Sequence, residues 1–472
     1  MGYLDAGALL ALHRSGEPQR IFKSCIAFLD WLARHPCQPI YTKGIVNLYA
    51  RLREAAPDEL KAADISIRSN NVMASIRLFY KGKSFDFLSA ESLNMPRGFS
   101  AVDALDYFNT LRLMLGYWPR SVGTASKRLY NLAWRYMPYP EPKLSDEHLE
   151  LCRDAFYGGF NYLRPGIFEV NTGLVYDCNK MYASILRSAP LPTGKPIEFK
   201  GEPPASANVF YVHRFKCSFK LRAGHLPFII LKDNFKQQGY ATEGAATTLT
   251  LAKPDFELFK ANYRIYNYEP LGGLSFLACT EMFKGYIDHL NSRIASAASP
   301  GEKAAYKILA NALYGAYAIK DIKGRIIYKD GAFISEPDYS RKSSSYLPIS
   351  VAIASYARAL IIPLAERERS NFIYSDTDSL HLHRPSRWIQ PTNELGGFKI
   401  EERFKRSRYF GRRKYVMELS DNSIKAVLAG LPYGSDRGMK YEDYQRGVLI
   451  PVTIKHLLPN GSIEFDHLKY EL

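Results

Sequence analysis

The run Asn371-Phe372-Ile373-Tyr374-Ser375-Asp376-Thr377-Asp378-Ser379-Leu380-His381-Leu382-His383 decides how the rest of the chain is read. Phe372, Ile373 and Tyr374 before the acidic residues, and Leu380 and Leu382 after them, predict two short strands joined by a tight turn. Two carboxylates on one bend resist joint ionisation, because each raises the cost of charging the other. A divalent cation removes that penalty, and hard oxygen ligands at a turn suit Mg²⁺. The plainer reading is an Asx-rich hairpin turn facing water, so the choice rests on what the other segments offer.

One of them offers a third carboxylate. Gly173 to Asp177 reads as a strand ending on Asp177, followed by Cys178-Asn179-Lys180-Met181-Tyr182-Ala183-Ser184-Ile185. Asp177 could cap the following helix or point into a cleft; both readings stand at this level. Two metal ions held about 3.5–4 Å apart need carboxylates from separate strands, and a strand-end aspartate with an acidic turn supplies them. In the predicted helix Gly301 to Lys320, Lys303, Lys307, Asn311 and Tyr314 share one stripe, with Ile308, Ala312, Leu313 and Ala316 on an apolar side. Such a stripe is either a solvated face or a row of ammonium groups and a ring offered to a nucleoside triphosphate. Lys405-Arg406-Ser407-Arg408-Tyr409-Phe410-Gly411-Arg412-Arg413-Lys414-Tyr415 is the densest basic cluster. Its interleaved aromatics favour contact with a nucleic-acid backbone over a plain solvated loop.

Composition agrees with that direction. The chain has 472 residues, 46% hydrophobic and 23% charged, enough for two to four domains. A net charge of +16 favours a polyanionic partner, and 33 tyrosines with 26 phenylalanines offer surfaces that pack against bases. The six scattered cysteines form no CxxC pair and read as thiols in a reducing compartment. Run by run, no apolar stretch reaches bilayer length and no cleavable leader is visible, so a soluble, cytoplasmic protein is expected.

Along the chain, helical spacing at 26–32 and 45–55 and a hairpin at 75–86 lead to the proline-punctuated stretch 136–142, the best domain boundary. A helix over 144–156 with Ser145 as cap ends at Tyr157-Gly158-Gly159. A helix at 180–188, mixed strands from 208 to 278 with a helix at 254–263, and a helical region 281–320 broken at Ser299-Pro300-Gly301 follow. The segment 320–345 reads as a polar, basic loop, 349–367 as a helix, and 418–472 as short strands and turns with one helix at most.

Together these stretches resemble the family B DNA polymerases. Asp177 to Ile185 is similar to the first palm motif D-x-x-S-L-Y-P-S-I, Lys307 to Gly315 to the fingers motif K-x-x-x-N-S-x-Y-G, and Tyr374 to Ser379 to Y-x-D-T-D-S. The closer resemblance is to the protein-primed branch of phages and linear plasmids. Tyr157-Gly158-Gly159 falls at its Y-x-G-G/A linker, although the family's Tyr aligns with Phe156, and Arg413-Lys414-Tyr415 falls at K-x-Y with Arg for the first Lys. The resemblance implies an α+β right-hand polymerase. A degenerate exonuclease-like domain would occupy 1–140 and a polymerase domain 141–472. Within the latter, the palm would be 144–189 and 346–417, a terminal-protein-region-like insertion 190–280, fingers 281–319, a second insertion 320–345 and a thumb 418–472.

By the same resemblance, Asp177 and Asp378, supported by Asp376 and the carbonyl of Cys178, hold two Mg²⁺ ions, with Mn²⁺ as a substitute. Tyr182 excludes a 2′-hydroxyl. Lys303, Lys307 and Arg293 hold the incoming triphosphate, and Asn311 and Tyr314 line the nascent pair. Tyr157, Gly158, Gly159, Thr377, Arg413, Lys414 and Tyr415 contact DNA. Implied partners are primer-template DNA, deoxynucleotides, a terminal protein primer and a single-stranded-DNA-binding protein, with no membrane; the compartment is the cytoplasm, that of the host cell if a virus encodes the chain. The proofreading motifs D-x-E, N-x-x-F/Y-D and Y-x-x-x-D do not occur intact before the proline stretch. Phe99-Ser100-Ala101-Val102-Asp103 comes nearest to the third, Ile21 to Ser24 lies about where the second belongs, and the chain starts too late for the strand bearing the first. The expectation is a template-directed DNA polymerase without 3′–5′ proofreading. The alternatives are a catalytically silent DNA-binding scaffold, a metal-dependent nuclease, and an RNA polymerase or primase.

Overall fold

The computed structural model describes residues 2–6, 10–14, 19–22, 24–35, 40–43, 45–56, 58–59, 63–67, 73–90, 95–96, 99–115, 122–133, 139, 141–231, 239–318, 323–329, 332–338, 346–431, 435–436, 438–457 and 463–472. The chain forms two compact units. One comprises Met1–Tyr136, Tyr286–Ser345 and Lys455–Asp466, the other Met137–Gly285, Tyr346–Ile454 and His467–Leu472. The first crossing falls inside the proline-punctuated stretch. Residues 286–345 associate with the N-terminal segment, so the fingers and second-insertion segments read along the chain do not cluster with the rest of 141–472.

In the first unit, Ser24 caps the helix Cys25–Arg34 by accepting from the Ala27 N–H at 3.2 Å, and the helix buries Phe28, Leu29, Trp31 and Leu32. The helix Ile45–Ala55 adds buried Leu48, Tyr49 and Leu52 to the same core. The expected hairpin is Met73–Tyr80 with Lys83–Ser89, turning at Lys81 and Gly82, both with positive φ. Among the described residues a nine-stranded sheet runs Ala332–Asp338, Lys323–Lys329, Asp64–Ile67, Met73–Tyr80, Lys83–Ser89, Ile40–Lys43, Gly2–Ala6, Leu10–Arg14, Arg20–Phe22. Gly2–Ala6 and Lys83–Ser89 both run parallel to Ile40–Lys43. The segment read as a polar loop is therefore a hairpin, Lys323–Lys329 with Ala332–Asp338, joined to Asp64–Ile67. Lys- and Gly-rich composition masked the β-prone Ile326-Ile327-Tyr328 and Phe333-Ile334. The helix Pro300–Tyr317 begins at the expected break, with the Ser299 hydroxyl accepting from the Glu302 N–H at 3.1 Å. It packs on the helix Ala101–Leu115 so closely that a Cβ on Gly301 would lie 2.2 Å from the Asp103 carbonyl oxygen.

In the second unit an antiparallel sheet runs Ile424–Leu428, Lys414–Leu419, Phe398–Gly411, Gly173–Cys178, Ser379–Leu382, Phe372–Asp376, Asn161–Leu163. The helices Met181–Ser188 and Pro348–Glu368 pack against one another beside it. The latter is mostly buried, and an 18-residue window within Pro348–Asn371 is apolar enough to pass for a bilayer span (mean hydropathy 1.6), with 72% of that window buried. That is a largely buried core helix with Leu360 left exposed; read run by run, Arg358 broke its apolar stretch. A four-stranded sheet of Leu191–Phe199, Tyr263–Cys279, Val209–Leu221 and Glu243–Ala252 carries the helix Lys253–Asn262. After Glu418 the described residues form strands, turns and one 3-10 turn, Tyr441–Asp443, with no α-helix.

Candidate active site

The centre of the second sheet brings two of the sequence's acidic features together. Gly173–Cys178 lies between Ser379–Leu382 and Phe398–Gly411, in a register that sets Asp177 opposite Ser379 on one side and Lys399 on the other. The acidic hairpin turns at Thr377, whose φ of 63° is left-handed, and the Asp378 N–H donates to the Asp376 carbonyl at 2.7 Å. The Cys178 N–H donates to the Asp378 carbonyl at 2.9 Å, which ties the end of the Asp177 strand to the bend. Asp177 does not cap the next helix: the residue before that helix is Lys180, left-handed and without a side-chain cap bond. The carboxylate instead meets the Lys399 ammonium at 3.2 Å.

Asp378 is pushed up from 3.8 to about 6, chiefly by burial and next by the negative charge of Asp177. A half-buried carboxylate beside another, with no ion pair of its own among the described residues, is an arrangement a divalent ion stabilises. Among the described residues no three His, Cys, Asp or Glu side chains converge as a complete ligand cage. Two carboxylates plus a backbone carbonyl nonetheless fit Mg²⁺, which binds through one or two carboxylates and completes its shell with water and phosphate oxygens.

Asp376 faces other partners. It accepts from the Asn161 Nδ2 at 2.9 Å and lies 3.6 Å from the Arg413 Nε. Tyr157 and Gly158 offer their carbonyls to the Arg358 guanidinium at 2.7 and 2.6 Å, and Arg358 pairs with Asp255 at 2.6 Å, both side chains almost fully buried. Gly159 is required by proximity: a Cβ there would stand 2.6 Å from the Thr377 side chain, and the Thr377 N–H donates to the Phe160 carbonyl at 2.7 Å. Arg413 is largely exposed and left-handed, at φ 56°. Lys414 sits 4.5 Å over the Tyr470 ring. Tyr415 is buried among Tyr374, His381 and Tyr409 and belongs to the core rather than the surface. Tyr182 is half-buried in the first turn of the helix after Asp177.

In the first unit, Lys303, Lys307 and Asn311 are exposed and Tyr314 half-buried along one side of Pro300–Tyr317. The opposite side buries Ala305, Tyr306, Leu309, Ala310, Leu313, Ala316 and Tyr317; Ile308 and Ala312 are only half-buried. Arg293 donates to the Tyr306 hydroxyl at 2.8 and 3.1 Å, an engagement its sequence position did not signal. Sequence reading also missed Lys399, Asn161, Tyr240 and the Arg358–Asp255 pair, since none sits in a spacing that marks its role.

The sequence pattern described as DNA polymerase type B, organellar and viral, matches residues 127–394, more than half of the chain. This chain belongs to the type B DNA polymerase family, organellar and viral. It is 31% identical over 345 residues to the DNA polymerase of Bacillus phage Nf, covering 69% of this chain and 60% of that relative, and 31% identical over 292 residues to that of Bacillus phage phi29. The chain thus aligns with about 60% of the length of the first of these relatives. Its fold is that of the phi29 DNA polymerase solved with primer-template DNA and incoming nucleotide, with a TM-score of 0.80 over 98% of this chain and 96% of that one at 21% identity.

Proposed function

We propose that this chain is a template-directed DNA polymerase that adds deoxynucleotides to a primer 3′-hydroxyl or to a protein primer. The observation that carries the reading is the Asp177–Asp378 pair, a strand carboxylate tied to a turn carboxylate by the Cys178 N–H bond to the Asp378 carbonyl, the second raised by burial and by the charge of the first. A cleft that only bound DNA as a silent scaffold gains nothing from repelling carboxylates. Asp177, Asp378 and the Cys178 carbonyl are the groups that would hold Mg²⁺, which when bound supplies charge neutralisation at the reacting phosphate and hydroxyl oxygens. Lys399 beside Asp177 steadies that carboxylate until the ion arrives. Asp376 acts from outside the pair, held by Asn161 and Arg413.

Tyr182 takes the sugar face of the incoming nucleotide and excludes a 2′-hydroxyl, which disfavours the RNA polymerase and primase readings. Lys303 and Lys307 take its triphosphate, since both ammonium groups are exposed on one side of their helix; Arg293, engaged with Tyr306, assists only by releasing that contact. Asn311 and Tyr314 line the new pair, a helix face with no use in a nuclease. Arg413 and Lys414 grip the primer strand, with Thr377 and the Tyr157–Gly159 segment shaping the same surface. The chain works in the cytoplasm with primer-template DNA, a terminal protein and a single-stranded-DNA-binding protein.

The reading includes no 3′–5′ proofreading. Of the three proofreading patterns only the third has a near match, Phe99-Ser100-Ala101-Val102-Asp103, where the Ser100 hydroxyl donates to the Asp103 carboxylate at 2.7 Å, and one such carboxylate cannot clamp two metals. In primer extension with Mg²⁺ and four deoxynucleotides, wild type extends the primer and Asp378→Ala falls by at least about a thousandfold. Equal extension by both moves the chemistry elsewhere; none by either, with DNA still bound, favours the silent scaffold.

A further inference from the structure

Asn161 opens the edge strand Asn161–Leu163 and pairs in register with Asp376. All its polar groups facing the two turns are used. Its N–H donates to the Tyr240 hydroxyl at 3.1 Å, its Nδ2 donates to Asp376 at 2.9 Å, and its Oδ1 accepts from the Tyr374 hydroxyl at 3.0 Å. The buried Tyr374 hydroxyl accepts in turn from the Arg413 N–H at 2.9 Å, and the Arg413 Nε returns to Asp376 at 3.6 Å. Asn161, Asp376, Arg413 and Tyr374 thereby close a ring of polar contacts between the acidic turn and the basic turn. A brace joins it from the segment that leads into Glu243–Ala252: Arg412 lies over the Tyr240 ring at 5.6 Å, and Gly239 leaves the room that the Arg412 guanidinium occupies, since a Cβ there would come within 2.9 Å of it.

Both turns need holding. Thr377 and Arg413 are non-glycine residues in the left-handed region, a conformation that persists only where surrounding contacts over-determine it. The side chain at 161 must donate toward a carboxylate and accept from a phenol at once, which an amide does and a carboxylate or an aliphatic group cannot. We propose that Asn161 is a positioning residue that locks the acidic turn to the basic turn, so that Asp376 serves as counter-ion to Arg413 and the grip on the primer strand is set from beneath. This rests on the polymerase reading above and assigns Asn161 and Tyr374 to it.

The test is a double-mutant cycle on primer-template affinity, read by fluorescence anisotropy, beside the Mg²⁺ dependence of single-nucleotide incorporation. Asn161→Ala raises the primer-template Kd about tenfold, and Asn161→Asp raises it further because two carboxylates then face each other. Arg413→Ala matches or exceeds Asn161→Ala, and the double variant is little worse than Arg413→Ala alone, because both remove one coupled unit. The half-saturating Mg²⁺ concentration stays at the wild-type value. Tyr374→Phe, which deletes only the linking hydroxyl, gives the same pattern and serves if Asn161→Ala does not fold. An unchanged Kd in both variants, losses that simply multiply in the double variant, or a shift in Mg²⁺ demand overturns the inference. Wild type that binds and extends DNA beside an unaffected Asn161→Ala overturns this inference alone. Wild type that binds no primer-template overturns the polymerase reading with it.

Discussion

At Asp378 the physics is a conflict between burial and charge, and it sets a measurable pH dependence. In the folded, ion-free chain its carboxyl titrates near 6, against 3.8 for an ordinary aspartate. The folded state therefore binds the extra proton between about pH 4 and 6. Stability from this group is greatest at the acid end of that window and falls as pH rises through it. Asp378→Asn removes the penalty, so the ion-free variant at pH 7.5 is more stable than wild type by up to about 3 kcal/mol. Mg²⁺ closes the gap by stabilising wild type alone; thermal melts at pH 5 and 7.5 with and without Mg²⁺ check both statements. Tyr182 carries a second expectation. Tyr182→Val opens room beside the sugar and raises ribonucleotide use relative to deoxynucleotide use by about tenfold or more, measured as a ratio of kcat/KM values. The acidic bend that carries Asp378 was legible in the sequence because a turn between two apolar runs is written in a short window. Asn161 was not, since its partners Tyr374 and Asp376 lie 213 and 215 residues away.

At the scale of elements, periodicity was a reliable guide wherever one face is buried. The helix Pro300–Tyr317 starts where Ser299-Pro300-Gly301 said it would, and its exposed stripe carries Lys303, Lys307 and Asn311 as the spacing required. Because the Lys307 side chain is exposed, Lys307→Gln leaves the melting temperature within about a degree of wild type. It raises the KM for deoxynucleotides by about tenfold through loss of a charge-assisted contact to phosphate. A matching loss of melting temperature would make the stripe a structural face. The reading failed at 323–338, where two strands pair edge to edge inside a composition that resembles a loop. Strand pairing depends on the partner edge as much as on the strand itself, and the partner, Asp64–Ile67, lies far earlier in the chain.

At the scale of the molecule, the N-terminal segment forms a sheet with parallel strands and a core, yet none of the three proofreading patterns occurs intact in it. No trimming of a labelled single strand from its 3′ end is therefore expected with Mg²⁺ or Mn²⁺. Trimming that Asp103→Ala abolishes would restore proofreading to the chain. What the sequence determined by itself was the family, the acidic hairpin, the strand ending at Asp177 and the lysine stripe, because each is written in a short window of spacing and residue type. Only the tertiary structure decided which carboxylates meet. It set Asp177 and Asp378 together, turned Asp376 toward Asn161 and Arg413, buried Tyr415, and joined 286–345 to the N-terminal unit. Those outcomes follow from sheet register and burial, which are set by pairings between distant segments and leave no mark in any one of them.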